Sequence, residues 1–145
     1  MEAATATGQL GSFNPVSGAL IDAVATTDPS DVQAVVDAVA QVQPFWALLT
    51  LSGRARYLER AAQVLIDEGD DIRDVIVREQ GKPRNEAFSM ELLPTIDALG
   101  WIAHAGQEIL ADEKIPMPQV FFKTKRSAFT YEPLGVIGII SPWNY

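Results

Sequence analysis

Apolar positions recur every three or four residues through the middle of the chain, then change to an alternating pattern and finally to a continuous run near Tyr145. The first helical stripe is Val32, Val35, Val36 and Val39. Asp28 ahead of it can cap a helix, Pro29 suits a first helical position, and Asp31 favours the positive end of the helix dipole. Pro44 is expected to end this helix, with Phe45 and Trp46 packing beneath it. A second stripe, Ala55, Leu58, Ala62, Leu65 and Ile66, follows a capping Thr50, and Gly69 is expected to close its C-terminal end. Asp70 then caps a short helix carrying Ile72, Val75 and Ile76, which stops at Gly81 before Pro83. Phe88, Leu92, Ile96, Leu99, Ala103 and Leu110 mark one side of a longer helical pattern from about Asn85 to Leu110. Pro94 lies inside it and removes a backbone donor, which predicts a kink or a restart.

The flanks read differently. Residues 1–12 are small and polar and are expected to form a frayed, flexible start. Phe13 to Gly18 carries turn chemistry, with Asn14 and Pro15 setting the turn and Gly18 supplying a positive φ. Ala19 to Val24 then predicts a short strand, so a small hairpin is expected. Beyond Pro116 and Pro118, Phe129 and Tyr131 alternate with Ala128 and Thr130, and Val120 to Glu132 predicts one or two antiparallel strands. After Pro133, the unbroken apolar run Val136 to Ile140 predicts a strand buried on both faces, as in a parallel sheet. Such a strand needs parallel neighbours and helices on both faces. The expected class is therefore α/β, with the sheet left unfinished.

Composition narrows the chemistry. The 145 residues are 48% hydrophobic and 21% charged, which argues against a disordered chain. No apolar run approaches the ~20 residues of a membrane span. No cysteine is present, which removes disulfides, thiolate metal sites and a cysteine nucleophile from these residues. A single histidine, His104, argues against a multi-histidine metal site or a Ser-His-Asp triad, so no metal is expected. Net charge is −8, and the first Lys or Arg is Arg54. So few cations argue against binding a nucleic-acid backbone. No secretory signal is visible near Met1, and the cytoplasm is the expected compartment. The one basic cluster, Lys123, Lys125 and Arg126, reads best as charge protecting an edge strand. The carboxylate pairs Asp67-Glu68, Asp70-Asp71 and Asp112-Glu113 read as solvated helix ends, since adjacent helical residues point apart.

In open α/β sheets, ligands bind beyond the carboxyl ends of strands. Ser141-Pro142-Trp143-Asn144-Tyr145 occupies that place. An asparagine amide donates hydrogen bonds without adding charge. Aimed at a carbonyl oxygen becoming an oxyanion, it favours the transition state over the ground state. The alternative is an ordinary strand-ending turn with Trp143 as core filler.

The run from Tyr131-Glu132-Pro133-Leu134-Gly135 through Ser141-Pro142-Trp143-Asn144-Tyr145 resembles the segment entering the first cofactor-domain strand of NAD(P)-dependent aldehyde dehydrogenases. Asn14-Pro15 with Gly18, the Asp31-Val32 helix followed by Trp46, Arg54 to Leu65, and Glu79-Gln80-Gly81-Lys82-Pro83 with Glu86-Ala87 extend the likeness over about Gly11 to Tyr145. The resemblance implies that Asn144 stabilises the oxyanion. It implies that Ile140, Ser141, Pro142 and Trp143 line NAD or NADP, and that Tyr145 lies near the substrate channel. It further implies residues 13–118 as hairpin and helical part of a cofactor-binding domain, 119–132 as an oligomerisation element, and 133–145 as the first strand of the dinucleotide sheet.

Family members are several times longer. Their reaction forms a thiohemiacetal on a cysteine, passes hydride to the nicotinamide, and uses a base, typically glutamate, to activate water. Neither the cysteine nor the segment bearing that glutamate is present here, so the chain alone is expected to be an inactive fragment of an aldehyde-oxidising enzyme. Its expected partners are the aldehyde and other copies of the chain in the full enzyme. A truncated module that pairs with intact subunits, and a remnant without function, are the alternatives.

Overall fold

The computed structural model describes residues 8–141, so the expectations for residues 1–7 and for Pro142, Trp143, Asn144 and Tyr145 lie outside the described residues. Two strands, β1 (Gln9–Phe13) and β2 (Leu20–Ala25), form the expected hairpin. Its pairing runs from Gln9 opposite Ala25 to Phe13 opposite Leu20, with an irregularity after Ser12. Asn14 builds the turn: its Oδ1 accepts the amides of Val16 and Ser17 at 2.9 and 3.0 Å. Gly18 supplies the left-handed residue at φ +71°. The frayed start expected through Ser12 is thus corrected. Gln9–Ser12 are paired strand, because the tight turn delivers β2 alongside them.

Asp28 caps as its position predicts, accepting the Ser30 amide at 2.8 Å. Hydrogen bonds from the Ser30 hydroxyl and amide hold its carboxyl below the usual carboxylate range. A 3-10 turn, Pro29–Asp31, leads into α1 (Val32–Ala47). Pro44 does not end α1: it lies inside the helix, and its own carbonyl still accepts the Leu48 amide at 3.1 Å. A proline this close to a helix end forfeits only a bond near the terminus. Nor does Phe45 pack beneath, being 72% exposed. Trp46 instead meets Tyr57 edge-on, with ring centroids 5.1 Å apart.

Helix α2 (Leu51–Asp67) starts at Thr50, whose Oγ1 accepts the Gly53 amide at 3.0 Å. Thr50→Ala is expected to lower stability by about 0.5–2 kcal/mol, read from the urea midpoint of the helical circular-dichroism signal. Gly69 is not the cap of α2. It is the first residue of α3 (Gly69–Gln80), and Glu68 forms the joint. Glu68 donates to Val64 at 2.9 Å and accepts from Ile72 at 3.0 Å, so bonding continues across the joint and no left-handed residue is needed. Gly81 does end α3, at φ +67°.

The long helical pattern divides. Helix α4 (Arg84–Glu86) opens into a π-helical stretch, Ala87–Leu92, and α5 (Leu93–Ile109) restarts with Pro94 in its first turn. The wider turn accommodates the donor that Pro94 lacks. Helices α2 and α5 pack through buried Ala55, Ala62 and Ala103, whose small side chains let the backbones approach. Leu92 and Ala87 complete the buried set among the described residues.

Strands β3 (Glu113–Ile115) and β4 (Ser127–Phe129) pair antiparallel, with Lys114 opposite Ala128. The expectation of strands throughout Val120 to Glu132 is corrected, since Val120–Phe122 is a 3-10 turn. Because β4 pairs back onto β3, the residues between them must reverse direction. Val136 to Ile140 is not a paired strand either. A strand needs hydrogen-bonding neighbours, and the described residues offer it none.

The accessible surface is 12124 Å². A compact monomer of 15.8 kDa would expose about 7,300 Å². The valine stripe of α1 stays 41–54% exposed, so the sequence carries more apolar surface than these residues cover.

Candidate functional site

The approach to Ser141 runs past the rest of the fold at three places. Tyr131 donates its hydroxyl to Glu113 on β3. That bond, with the charge of Glu113, pushes the Tyr131 hydroxyl up from its ordinary value. Next, Tyr131, Glu132 and Pro133 line a cavity of about 170 Å³ with Leu51 and Arg54 of α2 and Leu110. The Arg54 Nε is buried there without a hydrogen-bond partner among the described residues. Finally, Gly135 turns the chain at φ +98°, and Val136 and Ile137 border Val39, Val42 and Trp46 of α1. Beyond this the chain is uncovered. Ile139 is 78% and Ile140 91% exposed, and Ser141 is exposed too.

A second cluster joins the hairpin to the Glu79–Pro83 segment. Ser12 donates to Glu79 at 2.6 Å across 67 positions of sequence. A Cβ on Gly81 would sit 3.0 Å from the Pro15 ring. Lys82 pairs with Glu91, and Arg84 with Asp74. The lysine is largely buried, its side chain 9% exposed. Glu79, Gly81 and Lys82 therefore clasp the hairpin, the end of α3 and the π-helical stretch together. Gly81→Ala meets both a left-handed backbone and the Pro15 ring, and is expected to cost about 1–3 kcal/mol in chemical denaturation.

A sequence model of the aldehyde dehydrogenase family matches residues 2–145. The chain belongs to the aldehyde dehydrogenase family. Solved structures agree. An aldehyde dehydrogenase from Brucella melitensis biovar abortus 2308 is 29% identical, with a TM-score of 0.71 over 77% of this chain and 23% of its own. An NADP-dependent enzyme from E. coli is 27% identical, with a TM-score of 0.70 over 77% of this chain and 23% of its own. A succinate-semialdehyde dehydrogenase from Burkholderia pseudomallei is 25% identical, with a TM-score of 0.69 and the same two coverages, 77% and 23%. This aldehyde dehydrogenase chain thus spans about a quarter of the length of the relatives it matches.

Of the site residues expected from sequence, Ile140 and Ser141 are described and stand together at the exposed end of the approach segment. Pro142, Trp143, Asn144 and Tyr145 follow them outside the described residues. Other candidates resolve into ordinary roles. His104 is exposed on α5, Asp70 pairs with Arg73 at 2.6 Å, and Asp67 accepts from Gln63 at 2.8 Å. Sequence reasoning missed the Tyr131–Glu113 bond, which ties the approach segment to β3, and the cavity that Arg54 lines beside Tyr131. Neither carries a local signal, because the residues brought together lie far apart along the chain. No helix among the described residues is long and apolar enough to cross a membrane.

Proposed function

We propose that this chain supplies the oxyanion-stabilising part of an NAD(P)-dependent enzyme that oxidises an aldehyde to a carboxylic acid. The observation that carries the reading is the family match running to Tyr145 and so through the Pro-Trp-Asn motif. In this reading the Asn144 amide donates to the aldehyde oxygen as it gains negative charge. Ile140, Ser141, Pro142 and Trp143 form one wall for the dinucleotide, and Tyr145 borders the substrate path. The exposed apolar side of Ile140 and the Ser141 hydroxyl suit such a wall, leaving a surface open to a flat, polar-edged ligand. When bound, the nicotinamide accepts hydride. The nucleophilic cysteine and the base come from outside these 145 residues, which contain no cysteine.

The remaining organisation follows the same reading. Residues 13–118 form the hairpin and helical part of the cofactor-binding domain, 119–132 an oligomerisation element, and 133–145 a strand that pairs once the dinucleotide sheet is present. The compartment we propose is the cytoplasm. A second reading, pairing with intact family subunits through Phe122 to Glu132, is favoured by Phe122 at 46% and Phe129 at 63% exposure.

The test is an assay of reduced nicotinamide formation from aldehydes. The 145-residue chain is expected to give none. The chain followed by whatever its reading frame encodes beyond Tyr145 is expected to give aldehyde-dependent reduction that a thiol-alkylating reagent abolishes. Turnover by the 145 residues alone, or alkylation-resistant turnover, would overturn the reading.

A further inference from the structure

The run Val136 to Ile140 is apolar throughout, broken only by the side-chain-free Gly138. Such a run can enter a sheet in more than one register and still bury apolar groups, because a slip of one residue only exchanges one apolar set for another. The same slip would turn Ser141 to the opposite face of the sheet. The register therefore has to be set from outside the run.

Two consecutive residues ahead of it meet two different elements. Tyr131 bonds Glu113 of β3, and Glu132 lines the cavity of about 170 Å³ with Arg54 of α2. Arg54 sits on a fixed backbone, since Thr50 caps the helix and the Arg54 amide donates to the Thr50 carbonyl at 3.0 Å. Its Nε is buried without a hydrogen-bond partner among the described residues, and none of their salt bridges includes it. A buried guanidinium N–H left unpaired carries the full cost of its desolvation. Few acceptors are at hand. Of the side chains around the cavity, Leu51, Leu110 and Pro133 have none, and the Tyr131 hydroxyl is engaged by Glu113. That leaves the exposed Glu132 carboxylate. A second cavity beside Arg54, of about 190 Å³, offers the neutral amide of Gln107, a weaker partner for a guanidinium than a carboxylate.

We propose that Arg54 is a positioning residue, whose guanidinium takes the Glu132 carboxylate and so sets the register in which 133–141 enters the dinucleotide sheet. This role rests on the strand and site reading given above. Glu132 reaches Arg54 by turning its side chain into the cavity, which has room for a carboxylate. Pro133 makes the anchor effective. The residue before a proline is confined to extended backbone, and the proline ring fixes its own φ, so holding Glu132 fixes the direction in which the chain leaves. In this role Arg54 touches neither dinucleotide nor aldehyde, and acts through Glu132 on Ser141 and the residues after it.

Two measurements test the pair and its effect. In the 145-residue chain carrying isotope-labelled arginine, the Arg54 Nε–H resonance is expected to shift in Glu132→Gln. It should stay in place in Gln107→Leu and in Asp37→Asn, which removes a carboxylate on α1. A resonance that Glu132→Gln leaves unmoved, or that Gln107→Leu moves more, would overturn the pair. In the enzyme that contains this chain and its continuation, Arg54→Gln and Glu132→Gln are each expected to raise the dinucleotide KM about tenfold, the lower end for one charge-assisted hydrogen bond. The two together should do no more than either alone. Arg54→Lys, which keeps a charge for Glu132, should retain most of the affinity. A merely structural role would instead lower the amount of folded enzyme at an unchanged KM. Additive effects, or an unchanged KM in Glu132→Gln, would overturn the positioning role. The resonance needs no catalysis, so failure of the pair is distinguishable from failure of the dehydrogenase reading, which an absence of aldehyde-dependent reduction would show.

Discussion

Leu92→Ala lowers the free energy of unfolding by about 2–5 kcal/mol, the largest stability effect expected from truncating a single side chain here. The reason lies in the composition of the buried set. Its other members are Ala55, Ala62, Ala87 and Ala103, which offer nothing beyond Cβ to remove. Leu92 is 4% exposed and sits where the π-helical stretch meets α5. That stretch also touches α3 and α4, so a cavity there loosens three elements at once. Urea titration of the helical signal should show a lower midpoint with an unchanged slope. A loss below about 0.5 kcal/mol, the range of ordinary surface changes, would mean that the junction collapses around the smaller side chain.

What the sequence made legible is mostly local. Thr50, Asp28, Asn14 and Gly81 each act within a few residues of themselves, and each occupies the role its chemistry predicts. The restart around Pro94 was legible for the same reason. Where the reading failed, the deciding partner was distant. Gln9–Ser12 carry little strand signal and are ordered by β2. Glu113–Ile115 start within the acidic pair Asp112-Glu113, are followed by Pro116 and Pro118, and become strand only because Ser127–Phe129 return to them. Gly69 has the composition of a cap, yet the continuous α2–α3 joint leaves it nothing to cap.

The apolar run Val136 to Ile140 shows the same limit from the other side. Its hydrophobicity is that of a doubly buried strand, while Ile139 and Ile140 are 78% and 91% exposed. Pattern reports the environment a segment is suited to, and the structure reports the neighbours it has. The valine stripe of α1 makes the parallel case on a helix. The candidate site was legible as a motif, because Pro-Trp-Asn follows that run directly in sequence. The surroundings of the segment leading to it were not, because Tyr131 bonds Glu113, 18 positions earlier, and lines a cavity with Arg54, 77 positions earlier.

Asn144→Ala, introduced into the enzyme that contains this chain together with a cysteine and base, lowers kcat about 10²–10³-fold with little change in KM. That is the range for removing one oxyanion donor. In the proposed role the amide would interact weakly with a neutral aldehyde oxygen and strongly with the charge that develops on it, so the loss is expected to fall on the transition state rather than on binding. Asn144→Asp should be at least as damaging, because a carboxylate repels the developing oxyanion while keeping the size of the side chain. Ser141→Ala should act differently. As part of a dinucleotide wall it should raise the KM for the cofactor and leave kcat nearly intact. Steady-state kinetics over both substrates separate these patterns. A rise in aldehyde KM at constant kcat for Asn144→Ala would assign Asn144 to substrate binding, and the oxyanion role would then have to come from another donor.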